Sequence, residues 1–182
     1  RVTAALNFQY TLLLTTPLVL TGLAVCVAFR ARLYNIGAEG QLYAGALAAV
    51  APGSGVVSVP PFMLIPLVVI AGMVAGALLM LGPTWLKVRF GVDEVVTTLL
   101  LNFIVLLFVS MMLEGPMKDP LGLGWPQSEP IVPEATLPPL LPRARVHAGL
   151  LIALGAVVLG QVLPTRTIWG FGVRALRARG AG

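Results

Sequence analysis

The side chains able to do chemistry are few, and apolar stretches surround each group. The densest group is Asn35-Ile-Gly-Ala-Glu-Gly-Gln41, with two amides and one carboxylate around two glycines. A second is Gly91-Val-Asp-Glu-Val-Val-Thr-Thr98, followed by Asn102. Amides and carboxylates at such depth could hydrogen-bond a polar solute, and charged groups inside a membrane usually face a cavity or a partner. Acid–base catalysis is poorly served. Asp93 and Glu94 are adjacent and point in different directions on a helix, so they suit a helix start, where negative charge complements the dipole. Cys26 is the single cysteine and His147 the single histidine, which leaves no internal disulfide and no thiolate metal cluster. The chain contains no phosphate-binding Gly-x-x-x-x-Gly-Lys-Ser/Thr loop, no His-Glu-x-x-His and no Gly-x-Ser-x-Gly. Uphill work by this chain would draw on an ion gradient or on another subunit.

The elements that must position these residues follow from composition. Of 182 residues, 10% are charged and 58% hydrophobic, with a mean hydropathy of +0.95. A soluble domain is about 25% charged, so the composition excludes a soluble enzyme, a disordered segment and a nucleic-acid-binding domain. The net charge of +5 is scattered between apolar blocks, without a continuous basic face. Crossing the bilayer takes about 20 apolar residues. Charge-free runs extend over 2–29, 40–86, 95–113 and 146–165. The 40–86 run holds a break, Ala51-Pro-Gly-Ser-Gly-Val-Val-Ser-Val-Pro-Pro61, where glycine and proline mark a turn. The sequence thus predicts an all-α, polytopic helical membrane protein with about five transmembrane helices, at about 10–29, 36–52, 62–82, 95–113 and 148–163, forming one partial transmembrane domain over 1–182.

Basic residues orient the spans. One set of connections carries Arg30, Arg32, Lys87, Arg89, Arg166, Arg174, Arg177 and Arg179, and is predicted cytoplasmic. The other set carries four basic residues and the acids Glu114, Asp119, Glu129 and Glu134. The outer loop, 114–147, has eight prolines in 34 residues, so turns and extended chain are expected, with Trp125 packing onto the outer face. The apolar stretch from Gly40 to Pro52 is too short to cross alone, so its helix is expected to begin near Asn35 or Ile36, drawing Asn35, Glu39 and Gln41 toward membrane depth. These residues read either as the polar wall of a translocation route or as an interfacial turn with Glu39 paired to Arg30 or Arg32. Asn102 reads as interhelical glue or as a substrate contact. Gly72-Met-Val-Ala-Gly76 permits close helix packing. The tail 164–182 is basic and aromatic, suited to anionic lipid or to a soluble partner. The chain starts at Arg1 and is read as part of a longer reading frame.

Asn35-Ile-Gly-Ala-Glu-Gly-Gln41, Gly91-Val-Asp-Glu-Val-Val-Thr-Thr98 with Leu101-Asn102-Phe103, and Glu114-Gly-Pro-Met-Lys-Asp119 occur in that order. Together they closely resemble the permease subunits of bacterial ABC importers for nucleosides and simple sugars, in the branched-chain-amino-acid and ribose-type permease superfamily. The resemblance covers about Leu6 to Arg174. It implies a multi-pass, non-enzymatic permease of the bacterial inner membrane that translocates nucleosides, or simple sugars, by alternating access. It further implies a second permease subunit, an ATP-binding cassette ATPase and an extracytoplasmic substrate-binding protein as partners, besides membrane lipid. ATP and Mg would be bound by the ATPase, and this chain would carry no cofactor or metal. The translocation pathway would involve Asn35, Glu39, Gln41 and Asn102. A cytoplasmic coupling helix would involve Arg166, Trp169, Arg174 and Arg177. Two features depart from the family pattern: Arg32 replaces a small residue, and the tail Arg-Ala-Leu-Arg-Ala-Arg-Gly-Ala-Gly replaces a continuation into further spans. An ion-gradient-driven secondary transporter and a non-transporting membrane scaffold are the competing readings.

Overall fold

The computed structural model describes residues 2–30, 33–57, 59–140 and 146–166. Five α-helices account for most of them: α1 (Val2–Arg30), α2 (Ala38–Gly53), α3 (Pro61–Phe90), α4 (Glu94–Glu114) and α5 (Gly149–Arg166), with one 3-10 turn at Pro133–Ala135. Three are long and apolar enough to cross a membrane: α1 over Leu6–Arg30, α3 and α4. The chain groups into two compact units, 1–35 with 137–182, and 36–136.

In the first unit α1 lies against α5. A Cβ placed on Gly160 would fall 2.7 Å from Leu23 Cδ1, so the missing side chain is what admits the leucine. Arg30, at the end of α1, donates to the Gly160 carbonyl at 3.4 Å and to Gln161 Oε1 at 3.3 Å. The threonines of α1 return their hydroxyls to carbonyls one turn back, as the exposed Thr11 does to Asn7 at 3.0 Å. A hydroxyl satisfied within its own helix can face lipid at little cost.

In the second unit α2 and α3 touch backbone to backbone. A Cβ on Gly45 would sit 3.0 Å from the Gly72 carbonyl oxygen, one on Gly72 would sit 3.3 Å from the Gly45 oxygen, and one on Gly76 would sit 3.4 Å from the Gln41 oxygen. The Gly72/Gly76 pair thus serves the close approach expected of it. The other end of α2 is closed by the loop after α4: Val132 N–H donates to the Gly53 carbonyl at 2.8 Å. Helix α3 continues past residue 82 to Phe90, through Pro83 and with Lys87 and Arg89, both good helix formers, in its last turn. It stops at Gly91, which takes a left-handed conformation (φ 66°) and donates its N–H to the Lys87 carbonyl at 2.9 Å.

The described residues are arranged inside out. The buried hydrophobic residues are Leu64, Val105, Ala135, Val146 and Ala153, whereas Thr16, Asn35, Glu94, Thr98, Asn102 and Asp119 are also buried. Large apolar side chains lie exposed along every long helix. A soluble domain reverses this distribution; a helical membrane protein, whose solvent is hydrocarbon, has this one.

Candidate functional site

The buried positions of α4 are Glu94, Thr98, Asn102 and Val105. Their spacing of four, four and three places them on one face, and that face meets the start of α2. Three polar groups in register on a largely apolar helix form a stripe that needs partners in a low-dielectric setting.

Each finds one. Asp93 stands at the N-cap of α4 and its carboxylate accepts from Val95 N–H at 2.8 Å, the capping role expected for it. Glu94 turns inward and forms a close ion pair with Lys87 from the last turn of α3. Thr98, 1% exposed, donates to the Glu94 carbonyl at 2.7 Å and accepts from Ile36 N–H at 3.2 Å. Asn102 serves two groups at once. Its carbonyl oxygen accepts from Gly40 N–H, and its amide nitrogen lies 3.4 Å from Glu39 Oε2.

These contacts explain how α2 begins. The first turn of a helix leaves four N–H groups without intrahelical partners. Gly37 is the N-cap and supplies no side-chain cap. Gly40 is the third helical residue, and α4 supplies its acceptor. The approach is tight: a Cβ on Gly40 would lie 2.8 Å from Asn102 Oδ1 and 3.1 Å from Asn102 Cα. The helix starts at Ala38, later than the expected Asn35 or Ile36; Ile36 stays outside it and donates its N–H to Thr98.

The expected pathway residues part company here. Glu39 and Asn102 are brought together. Gln41 points to the opposite side of α2, since two helical residues are about 200° apart, and its amide nitrogen lies 3.1 Å from the Met80 sulfur of α3. Asn35 is buried and its N–H donates to the Leu33 carbonyl at 3.1 Å. Glu39 accepts from Asn102, while Arg30 donates to Gly160 and Gln161; Arg32 lies outside the described residues. So do Trp169, Arg174 and Arg177, and Arg166 is described only as the last residue of α5. Thr98 and the Lys87–Glu94 pair were not among the expected site residues. The signal that finds them is the four-residue spacing Glu94, Thr98, Asn102.

A cavity of about 360 Å³ opens near the far end of α2, lined by Ser54, Val56, Met117, Lys118 and Glu129. The loop after α4 differs from expectation at Trp125, which is 73% exposed and does not pack down.

Comparison with known proteins agrees with this architecture. The model of the family described as "Branched-chain amino acid transport system / permease component" matches residues 7–179. The chain belongs to that family. It is accordingly a multi-pass membrane protein of a non-catalytic family. Its relatives include a glucose ABC transporter permease protein of Haloferax volcanii, 43% identical over 94% of this chain and 47% of the relative. A nucleoside ABC transporter permease protein of Lactococcus lactis is 33% identical over 88% and 46%. A guanosine ABC transporter permease protein of Bacillus subtilis is 35% identical, again over 88% and 46%. The chain therefore spans about half the length of these curated relatives. No solved structure matches.

Proposed function

We propose that this chain is part of the permease subunit of an ABC importer that passes a sugar or a nucleoside through the cytoplasmic membrane. The observation that carries the reading is the family match over residues 7–179, joined by relatives named for glucose, nucleoside and guanosine transport. Those solutes share a polyhydroxylated ring, so a sugar ring is the substrate feature to test first. The higher identity to the glucose permease moves simple sugars ahead of nucleosides in that test. In this reading a second permease subunit completes the path, an ATP-binding cassette ATPase drives it, and an extracytoplasmic binding protein delivers the solute. Lys87 and Arg89 then lie on the cytoplasmic side, and the segment after α5 carries the contact with the ATPase. Alternating access requires that nucleotide bind the two states of the complex with different affinity.

Within that path Glu39 is the residue proposed to meet the solute. Its carboxylate is exposed on α2 and oriented by the Asn102 amide. Asn102 is proposed to position it and to hold α2 to α4. The test is uptake of labelled glucose and guanosine by the full-length permease, reconstituted with its ATPase and binding protein. Uptake of one of them is expected, with loss when the ATPase cannot hydrolyse ATP and when Glu39→Gln is introduced into a correctly inserted protein. Uptake that persists with the inactive ATPase and follows an ion gradient would show a secondary transporter instead. Neither solute moving, with assembly intact, would favour a scaffold.

A further inference from the structure

The loop after α4 has a feature that transport does not use. Its base is tied to the end of the helix: Met117 N–H donates to the Met112 carbonyl at 2.9 Å and Lys118 N–H to the Gly115 carbonyl at 3.2 Å. From there the chain closes on itself. Lys118 pairs with Ser128, and Asp119 N–H donates to the Gln127 carbonyl at 2.8 Å. The buried Asp119 carboxylate accepts from Leu121 N–H at 2.8 Å and from Gln127 Nε2 at 3.1 Å. Gly122 is packed so closely that a Cβ there would lie 2.9 Å from Gln127 Nε2. This internally bonded loop nevertheless turns its large apolar side chains outward: Leu121 is 87%, Leu123 95% and Trp125 73% exposed. Leu123 holds φ 48°, a conformation that L residues other than Asn and Asp rarely adopt. A loop that fixes its backbone to display leucine and tryptophan is built to have them covered.

We propose that residues 120–126 form an interfacial anchor, with Leu121, Leu123 and Trp125 resting in the headgroup region beside the end of α4. Three observations favour lipid over a protein partner. The loop is bonded to the last turn of a helix of 21 residues, about 32 Å long and so matched to the hydrocarbon thickness; its base therefore lies at the boundary of that layer. No charge occurs between Pro120 and Ser128, and the flanking Asp119 is committed to the loop's own hydrogen bonds, so the tip offers no charge for steering a soluble partner. Tryptophan is enriched at membrane–water interfaces, where its amphipathic ring sits at headgroup level.

The full-length protein, with other cysteines replaced, is labelled at Leu123→Cys with an environment-sensitive fluorophore and placed in lipid nanodiscs. The label is expected to emit to the blue of its value in water and to lose most of its emission when the lipids carry bromine on their acyl chains. The difference in tryptophan emission between wild type and Trp125→Phe provides the same readout without a label, should the cysteine variant fail to fold. A label that is water-like until a substrate-binding protein is added would overturn the proposal in favour of protein docking. A blue label that bromine does not quench would overturn it in favour of burial by another part of the permease. Because the readout involves no transport, it can fail or succeed independently of the proposed function.

Discussion

Gly40→Ala is the sharpest test of the α2–α4 contact. The added carbon would lie 2.8 Å from Asn102 Oδ1, 3.1 Å from Asn102 Cα and 3.5 Å from Val105 Cβ. The amide could rotate away, but the Cα is helix backbone, so α2 has to withdraw by a few tenths of an ångström. Overpacking of this kind costs about 1–3 kcal/mol. The withdrawal also stretches the Gly40 N–H bond to Asn102, with a net value of about 1 kcal/mol. Against these stands the higher helix propensity of alanine, about 1 kcal/mol. The balance is a loss of about 1–3 kcal/mol. The measurement is thermal unfolding of the detergent-solubilised full-length permease, with Gly22→Ala as the reference. A Cβ at Gly22 meets nothing within 4 Å, so that variant is expected to be neutral or slightly stabilised. Adding Asn102→Ala to Gly40→Ala removes the nearest obstacle, and the double variant should be about 1 kcal/mol more stable than the sum of the singles. Equal stability of Gly40→Ala and Gly22→Ala, or strict additivity in the cycle, would refute the reasoning.

Two further predictions use the same unfolding measurement. Asp93→Ala deprives α4 of its N-cap and is expected to cost about 1 kcal/mol, most of it recovered by Asp93→Asn. Lys87→Met removes the cation paired with Glu94, whose side chain is 10% exposed. Complete burial would make the loss about 3–5 kcal/mol, but the Lys87 side chain is 34% exposed, so about 1–3 kcal/mol is expected, with a large part restored by adding Glu94→Gln.

Much of this architecture is legible in the sequence because lipid is an undemanding solvent to read. Long charge-free runs largely coincide with the helices that the structure contains, the glycine- and proline-rich break falls at the turn between α2 and α3, and Asp93 is recognisable as a cap from its place before an apolar run. The ends of helices are harder. Lys87 and Arg89 interrupt a hydropathy pattern without interrupting a helix. The candidate site is only half legible. Asn35, Glu39, Gln41 and Asn102 stand out as polar residues among apolar ones, but their polarity does not say which way each points. Helical periodicity separates Glu39 from Gln41, and the same periodicity gathers Glu94, Thr98 and Asn102 into a stripe. That Asn102 finds Gly40 is a fact of tertiary packing between residues 62 apart, with no local trace. Trp125 fails for the opposite reason: its apolar character suggests packing, while the loop's own hydrogen bonds hold it outward.

The borrowed cap of α2 also bears on how the protein enters the membrane. The N–H groups of Ile36 and Gly40 find their acceptors on Thr98 and Asn102, each 62 residues further along the chain. During synthesis α2 therefore emerges well before the residues that complete its first turn. Until α4 follows, those two N–H groups lack the acceptors they have in the folded chain. The hydrogen bonds that complete the start of α2 therefore form only once α4 is in place.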